Sequence, residues 1–456
     1  MSWSIQRNKL TTISLLLFGG FFSGLYVFAF SGPNFNPPEG LQYAAVVGIA
    51  ALFFLTYKLY GNGELTARHL NLIVLFSLFF CLLLIRSALL SSDVYNYVFW
   101  VKIFTQYHAS PYVFTPLAFS SDPFFAVLPP IWLSQPLVYG PLFLVFYFPL
   151  QLLAGSDLAT NVLLFKLFSI VVFFASGFLL YKILRLTKAS NYVYLLLLYF
   201  WNPLLLSEIA KDGHNDIGVT FFILLAVFFY LKRWRAWVLP ALMLAAFFKF
   251  APAILLPIAY LSLVRDYPGF KSKLLFTLRS LVAPLVALCV LFSAMVTISL
   301  PNIFAGFSRL HYASIFTYLI YFLFPYKVKL PVENVSLILL SLLIFIGLYL
   351  YALMRKIQSD SGLAEKVSFA LLAYLFFGTF WVQAWYFIWV IPLMLTVPKA
   401  HYLKGAFWLS VIYFVGYYTY GAITPVLAVV MFPALTLALL FFLGRRLANI
   451  NLWKFL

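Results

Sequence analysis

Long apolar runs separated by short, mostly basic connectors set the pattern of this chain. The runs lie at 11–30, 41–59, 70–90, 162–182, 191–206, 217–231, 237–249, 252–264, 276–300, 336–354, 367–381, 385–397, 405–420 and 425–443. A helix crosses a bilayer with roughly 20 apolar residues, so the pattern predicts an all-α polytopic transmembrane protein of about 14 crossings. The halves 237–249 and 252–264 are short, and Pro252 breaks the helix between them, which puts an apex at Lys249. The apolar stretch 139–155 is predicted to lie along or dip into the outer leaflet, because a full crossing there would carry the next basic cluster outside. Residues 317–325 are read the same way. The loop 91–138 is rich in aromatics and proline and poor in charge, and it predicts juxtamembrane amphipathic helices roofing the outer face.

Composition turns this pattern into a solvent argument. The chain is 64% hydrophobic and 9% charged, with mean hydropathy +1.01. Soluble domains carry about 25% charged residues. A net charge of +18 would suggest nucleic acid in a soluble protein. Here the bases sit in clusters such as Lys182/Arg185/Lys188, Lys232/Arg233/Arg235, Arg355/Lys356 and Arg445/Arg446, which is the positive-inside signature of cytoplasmic connectors. That pattern excludes nucleic acid, orients both termini to the cytoplasm, and leaves Glu39, Asp93, Asp122, Asp157, Glu208, Asp212, Asp216 and Glu333 on the other side. The 11–30 run follows Arg7 and Lys9 but lacks a small-residue cleavage site, so it reads as a true span. Cys81 and Cys289 lie in apolar runs and form no disulfide or zinc pattern. The chain divides into two N-terminal helices (1–69), a core with the outer loop (70–400) and C-terminal helices (401–456). No repeat of solenoid period is present.

Four places carry candidate chemistry. Asp93 follows the third run in Ser-Ser-Asp-Val-Tyr-Asn-Tyr; a carboxylate under aromatics is partly desolvated and becomes a better base, while the plain alternative is a helix-end cap. Tyr95 and Tyr97 alternate with it and suit stacking on a sugar ring or an interfacial belt. Arg86, seven residues earlier, is read on the same helix face and either meets a phosphate or snorkels. The cluster Glu208 to Asp216, with Lys211, Asp212, His214 and Asn215, concentrates polar groups in a short outer loop. It suits a polyol or a phosphate, and Asp216 alternatively caps the next helix. Lys249 is the lone charge between Arg235 and Arg265 and is placed to neutralise a phosphate or to snorkel. Phe380, Trp381, Gln383, Trp385, Tyr386 and Trp389 form an interfacial belt or the floor of a polar pocket. The acids and His214 of the Glu208–Asp216 cluster could instead ligate a divalent metal, but no recognised metal spacing is present, and no cofactor is expected.

The stretches Asp93-Val-Tyr-Asn-Tyr97, Ser110-Pro-Tyr-Val113, Tyr139-Gly-Pro-Leu142, His214-Asn-Asp216, Lys249 with Pro252, and Ala384-Trp-Tyr386 before Pro392 occur in one order. In that order they resemble membrane glycosyltransferases of the type-C superfold, and most of all the bacterial polyprenol-phosphate-mannose-dependent mannosyltransferases. The resemblance covers about residues 70 to 395. It implies a polyprenyl-phosphate-linked mannose or related donor, a glycan or glycolipid acceptor, an outer-face site in a bacterial inner membrane, and an acidic base that maps onto Asp93. Lys249, Arg86 and His214 are then expected at the donor phosphate. Tyr95, Tyr97, Tyr139, Asn215, Asp216, Gln383, Trp385 and Tyr386 are expected at sugar or acceptor. The segment from Asp122 to Pro130 departs from the family pattern. The rival class is a transporter or flippase of a lipid-linked saccharide, which internal repeats and mid-membrane charges would favour.

Overall fold

The computed structural model describes residues 2–419, apart from 31, 33–34, 62–64, 300, 303–334, 358 and 380–381. The predicted run 425–443, the 317–325 segment, Phe380 and Trp381 lie outside the described residues. Among the described residues the chain is helical, and the one extended pairing is an isolated bridge between Gly32 and Phe35. In chain order the helices are α1 (Ser2–Ala29), α2 (Glu39–Leu59), α3 (Ala67–Leu84), α4 (Asp93–Thr105), α5 (Pro130–Leu133), α6 (Pro141–Ala154), α7 (Leu158–Leu186), α8 (Tyr192–Phe200), α9 (Pro203–Leu206), α10 (Ile217–Leu231), α11 (Val238–Phe248), α12 (Leu255–Val264), α13 (Gly269–Thr277) and α14 (Ala283–Met295). Helices Val335–Met354, Gly362–Ala373, Ile391–Met394 and Ala400–Tyr418 follow.

Among the described residues six helices are long and apolar enough to cross a membrane: Gln6–Ala29, Glu39–Leu59, Ala67–Leu84, Leu158–Leu186, Gly269–Met295 and Val335–Met354. The 191–206 run is not one straight span. Asn202 and Pro203 break it into two helices bent by 42°, because Pro203 lacks an N–H and the Asn202 side chain accepts from the amides of Leu204 and Leu205 instead. The 385–397 run is likewise no continuous helix but a 3₁₀ turn, Ala384–Trp389, and the short Ile391–Met394. The break at Lys249 falls where expected, between α11 and the 3₁₀ turn Ala251–Ile254. At 14 residues α6 is short of a crossing.

The packing is arranged for lipid. Leu75, Leu82, Val171, Phe178, Leu291 and Leu343 are exposed on the long helices, an outward apolar surface that a water-soluble chain of this size would not carry. Polar side chains turn inward and bond to partners there. Ser77 donates to the carbonyl of Phe200 at 2.8 Å, and Asn202 donates to Ser410 at 2.7 Å. Helix α10 packs on α7 and α11, and the Ala400–Tyr418 helix packs on α2 and α9.

The 91–138 loop corrects one expectation. Helix α4 is not a surface amphipath: Val94 and every residue from Asn96 to Ile103 are buried, and the helix packs on α6 and α7. The loop beyond it is pinned by an internal ion pair. Lys102 reaches both oxygens of Asp122 at 2.9 and 2.7 Å and lies 3.7 Å from the ring centre of Phe124. Tyr107 donates to the same carboxylate at 2.5 Å, and Asp122 accepts from the Phe124 amide at 2.7 Å. The departure at Asp122 to Pro130 is therefore a staple that folds the loop back on α4.

Candidate active site

The site begins with three backbone contacts that the short motifs make. Gly140 donates its N–H to the carbonyl of Phe248 at 3.0 Å. A Cβ at Gly140 would stand 2.0 Å from the Phe247 carbonyl oxygen, so only glycine lets these backbones meet. Tyr112 donates its hydroxyl to the carbonyl of Tyr139 at 2.9 Å, and the Leu137 amide donates to the Pro111 carbonyl at 2.8 Å. Together these contacts press the ring of Tyr139 against the end of α11, where Lys249 emerges.

Lys249 is held by charge and by rings. Its Nζ donates to Asp216 Oδ1 at 2.8 Å and lies 4.9, 4.7 and 5.2 Å from the ring centres of Tyr139, Tyr386 and Trp389. Rings at these distances attract an ammonium through their negative faces. Trp389 also donates its indole N–H to Asp216 Oδ1 at 2.7 Å. Asp216 occupies the N-cap position of α10 but makes no side-chain cap bond; its carboxylate serves Lys249 and Trp389 instead.

His214 sits on the face of Trp385, with ring centres 3.9 Å apart and planes at 15°. Its Nδ1 is 3.2 Å from the Tyr97 hydroxyl, and its Nε2 is 3.3 Å from Glu208 Oε2 but outside hydrogen-bond geometry. The tautomer protonated on Nε2 lets Tyr97 donate to Nδ1. Burial pushes the His214 imidazole down to about 3, so it is neutral at ordinary pH. Gly213 turns the chain into this position at φ +74°, lying against the stem of Lys166.

Asp93 opens α4 and is half-buried. Its Oδ1 accepts from the indole N–H of Trp132 in α5 at 3.0 Å. Burial raises the carboxyl from 3.8 to about 6, and the Trp132 bond and the charge of Lys249 pull part of the way back. Asp216 and Asp212 push it up further, so Asp93 lies within the field of the Lys249–Asp216 pair. A second carboxylate fixes the approach to it. Asp212 Oδ1 accepts from the amides of Leu90 and Ser91 at 2.8 and 3.4 Å and from Lys211 at 3.0 Å. Its Oδ2 accepts from Tyr418 at 2.7 Å.

The structure thus gathers Asp93, Tyr97, Tyr139, His214, Asp216, Lys249, Trp385 and Tyr386 at one end of α10, with Asn215 buried beside them. Three expected residues stand apart. Arg86 is exposed and makes no hydrogen bond or ion pair among the described residues; α3 ends at Leu84, so Arg86 and Asp93 do not share a helix. Tyr95 faces away from Asp93 because both lie on α4, where a spacing of two is about 200° around the axis. Gln383 is half-buried, and its carbonyl accepts from the Tyr386 amide. Sequence reasoning missed Trp132, Tyr418 and Tyr417, whose ring meets Trp385 edge to face with ring centres 5.9 Å apart. Trp132 follows a double proline in the segment without an aligned pattern, and nothing local marks any of the three as site residues. No group of three or more His, Cys, Asp or Glu among the described residues could hold a metal ion.

Apolar helices that present lipid-facing side chains outward, with carboxylates, a caged lysine and stacked rings gathered at one end, are the build of an integral membrane protein with polar chemistry at that end. The chain belongs to the family of alpha-(1->6)-mannopyranosyltransferases: the model of that family's N-terminal domain matches residues 34–265. The match spans Asp93, Tyr139, His214, Asp216 and Lys249, and ends before Trp385, Tyr386 and Trp389. No curated protein and no solved structure matches the chain.

Proposed function

We propose that the protein transfers a mannosyl unit from a polyprenyl-phosphate carrier to a hydroxyl of a glycan or glycolipid at the outer face of a bacterial inner membrane. The anomeric centre inverts, and the fold is of the type-C kind with about 14 crossings. The observation that carries this reading is a partly desolvated acid, Asp93, in the field of the caged Lys249–Asp216 pair at one end of the bundle.

In this mechanism ionised Asp93 takes the proton of the acceptor hydroxyl as its oxygen attacks the anomeric carbon. The bond from that carbon to the phosphate oxygen breaks on the opposite side, and the electron pair leaves with the lipid phosphate. Lys249 is the cation nearest the developing charge, and its ring cage keeps it aimed without strong hydration. Neutral His214 and its Trp385 platform offer a donor and an apolar face, which suits a sugar ring. Asn215 and Asp216 Oδ2 carry buried polar atoms with no hydrogen-bond partner among the described residues, and a hydroxyl-rich ligand supplies such partners. No step uses a metal. The greasy carrier accounts for the lipid-embedded scaffold: its tail remains in the bilayer while its headgroup enters the site.

The test is transfer in proteoliposomes with radiolabelled polyprenyl-phosphate-mannose, with nucleotide-mannose as the control donor and the product anomer read by NMR. Transfer from the lipid donor with inverted configuration is expected. Transfer from the nucleotide donor alone, or retention of configuration, refutes the reading.

A further inference from the structure

At the end of α10 remote from Asp216, about 22 Å along the helix, the chain forms a cleft of about 630 Å³. Arg233, Arg235, Arg265 and Lys356 line it with Ser262 and Ser359, against only two carboxylates, Asp266 and Asp360. Arg233 pairs with Asp360 at 2.8 Å and Arg235 pairs with Asp266. Arg265 and Lys356 have no acid partner among the described residues, and Arg265 directs its guanidinium to the carbonyls of Leu353 and Met354 at 3.5 and 3.4 Å.

Basic connectors at a membrane face are ordinarily solvated and loose. One observation sets this cluster apart. Lys366 is 2% exposed, and its Nζ donates to Ser262 Oγ, a cleft hydroxyl, at 2.8 Å. No carboxylate lies within ion-pair distance of it among the described residues. The adjacent Glu365 is already engaged by Arg355 at 2.7 Å and Lys399 at 2.5 Å. A buried ammonium whose only partner is a neutral hydroxyl calls for an anion from outside. The cleft shares Arg233 and Arg235 with a shallower depression of about 490 Å³, also lined by Trp234, Trp237 and Tyr267. Trp234 and Trp237 are 53% and 60% exposed, as expected of rings at headgroup level.

We propose that this cleft binds the phosphate headgroup of an anionic glycerophospholipid, with its acyl chains leaving past Trp234 and Trp237. Arg265, Lys356 and Lys366 supply the uncompensated charge and the Ser359 hydroxyl a neutral donor, while Ser262, whose hydroxyl donates to the Ile258 carbonyl at 2.6 Å, holds Lys366 in place. This is a second lipid site, on the face away from Asp93, and it does not depend on the donor assigned above.

The experiment is native mass spectrometry of the intact protein in mild detergent with phosphatidylglycerol or phosphatidylcholine. The variants are Arg265→Gln with Lys356→Gln, and, as the control, Lys182→Gln with Arg185→Gln on the basic face outside the cleft. All four positions are exposed, so the exchanges leave the fold intact. Phosphatidylglycerol is expected to be retained over phosphatidylcholine, and the cleft variant is expected to weaken retention about tenfold or more while the control does not. Equal loss in the control overturns the proposal in favour of bulk surface charge. Inorganic phosphate is expected to leave the lipid in place; complete displacement by it assigns the cleft to a soluble phosphate and overturns the lipid.

Discussion

Replacing Asp93 with Asn separates a base from a cap, because it moves activity and stability in opposite directions. The amide has the carboxylate's shape and retains an oxygen for the Trp132 indole. It cannot take a proton, so transfer is expected to fall by about 10² to 10⁴. Stability follows the shift from 3.8 to about 6. The folded carboxyl binds its proton more tightly than the unfolded one. Its full contribution is therefore present below pH 3.8 and is lost as pH rises through about 6. At pH 7.5 the ionised group costs about 3 kcal/mol. Partial solvent access and the favourable dipole at the start of α4 reduce the net to about 1–2 kcal/mol. Asp93→Asn is thus expected to unfold at a higher temperature than the parent at pH 7.5 and at the same temperature near pH 3.5. Transfer rates and thermal midpoints in detergent at the two pH values check both halves. An inactive variant that is less stable at pH 7.5 makes Asp93 a structural cap, and sustained turnover removes it from the chemistry.

Trp132→Phe deletes the bond that holds Asp93 down, so the acid limb of the pH–rate profile is expected to move above about 6 and activity lost at pH 6.5 to return at pH 8; an unmoved limb separates Trp132 from the base. Gly213→Ala forces a side chain into φ +74° with its Cβ 2.9 Å from Lys166, which is expected to cost about 1–3 kcal/mol and to lower transfer, measured by thermal unfolding and rate. Lys102→Met leaves Asp122 buried without its cation, at an expected cost of about 3–5 kcal/mol. Limited proteolysis should then cut between Tyr107 and Phe124, and adding Asp122→Asn should restore part of the protection.

Apolar run length and basic clusters made the helical class legible, and Pro252 marked the break beside Lys249. The broken 191–206 run was less legible because hydropathy counts residues without noticing that Asn202 and Pro203 stop the ladder of amide bonds. Asp93, His214, Asp216 and Lys249 could be singled out because a charge costs most in an apolar chain. Their partners could not. Trp132 and Tyr418 resemble any interfacial aromatic until folding brings them to the carboxylates, and the pairing of Lys249 with Asp216 spans 33 positions that carry no local signal. Arg86 does not share a helix with Asp93, because one helix ends at Leu84 and the next starts at Asp93, and Tyr95 turns away from Asp93 because a spacing of two on α4 is about 200° around the axis.

Residues close in space here are far apart in order of synthesis. Asp212 waits for Tyr418, and Asp216 waits for Trp389, so an emerging chain that has already threaded α1 to α12 still lacks part of the wall of the candidate site. The candidate site is therefore expected to be complete only once the Ala400–Tyr418 helix has docked. A ribosome-stalled or truncated product ending near residue 265 should therefore show no mannosyl transfer even where it inserts correctly.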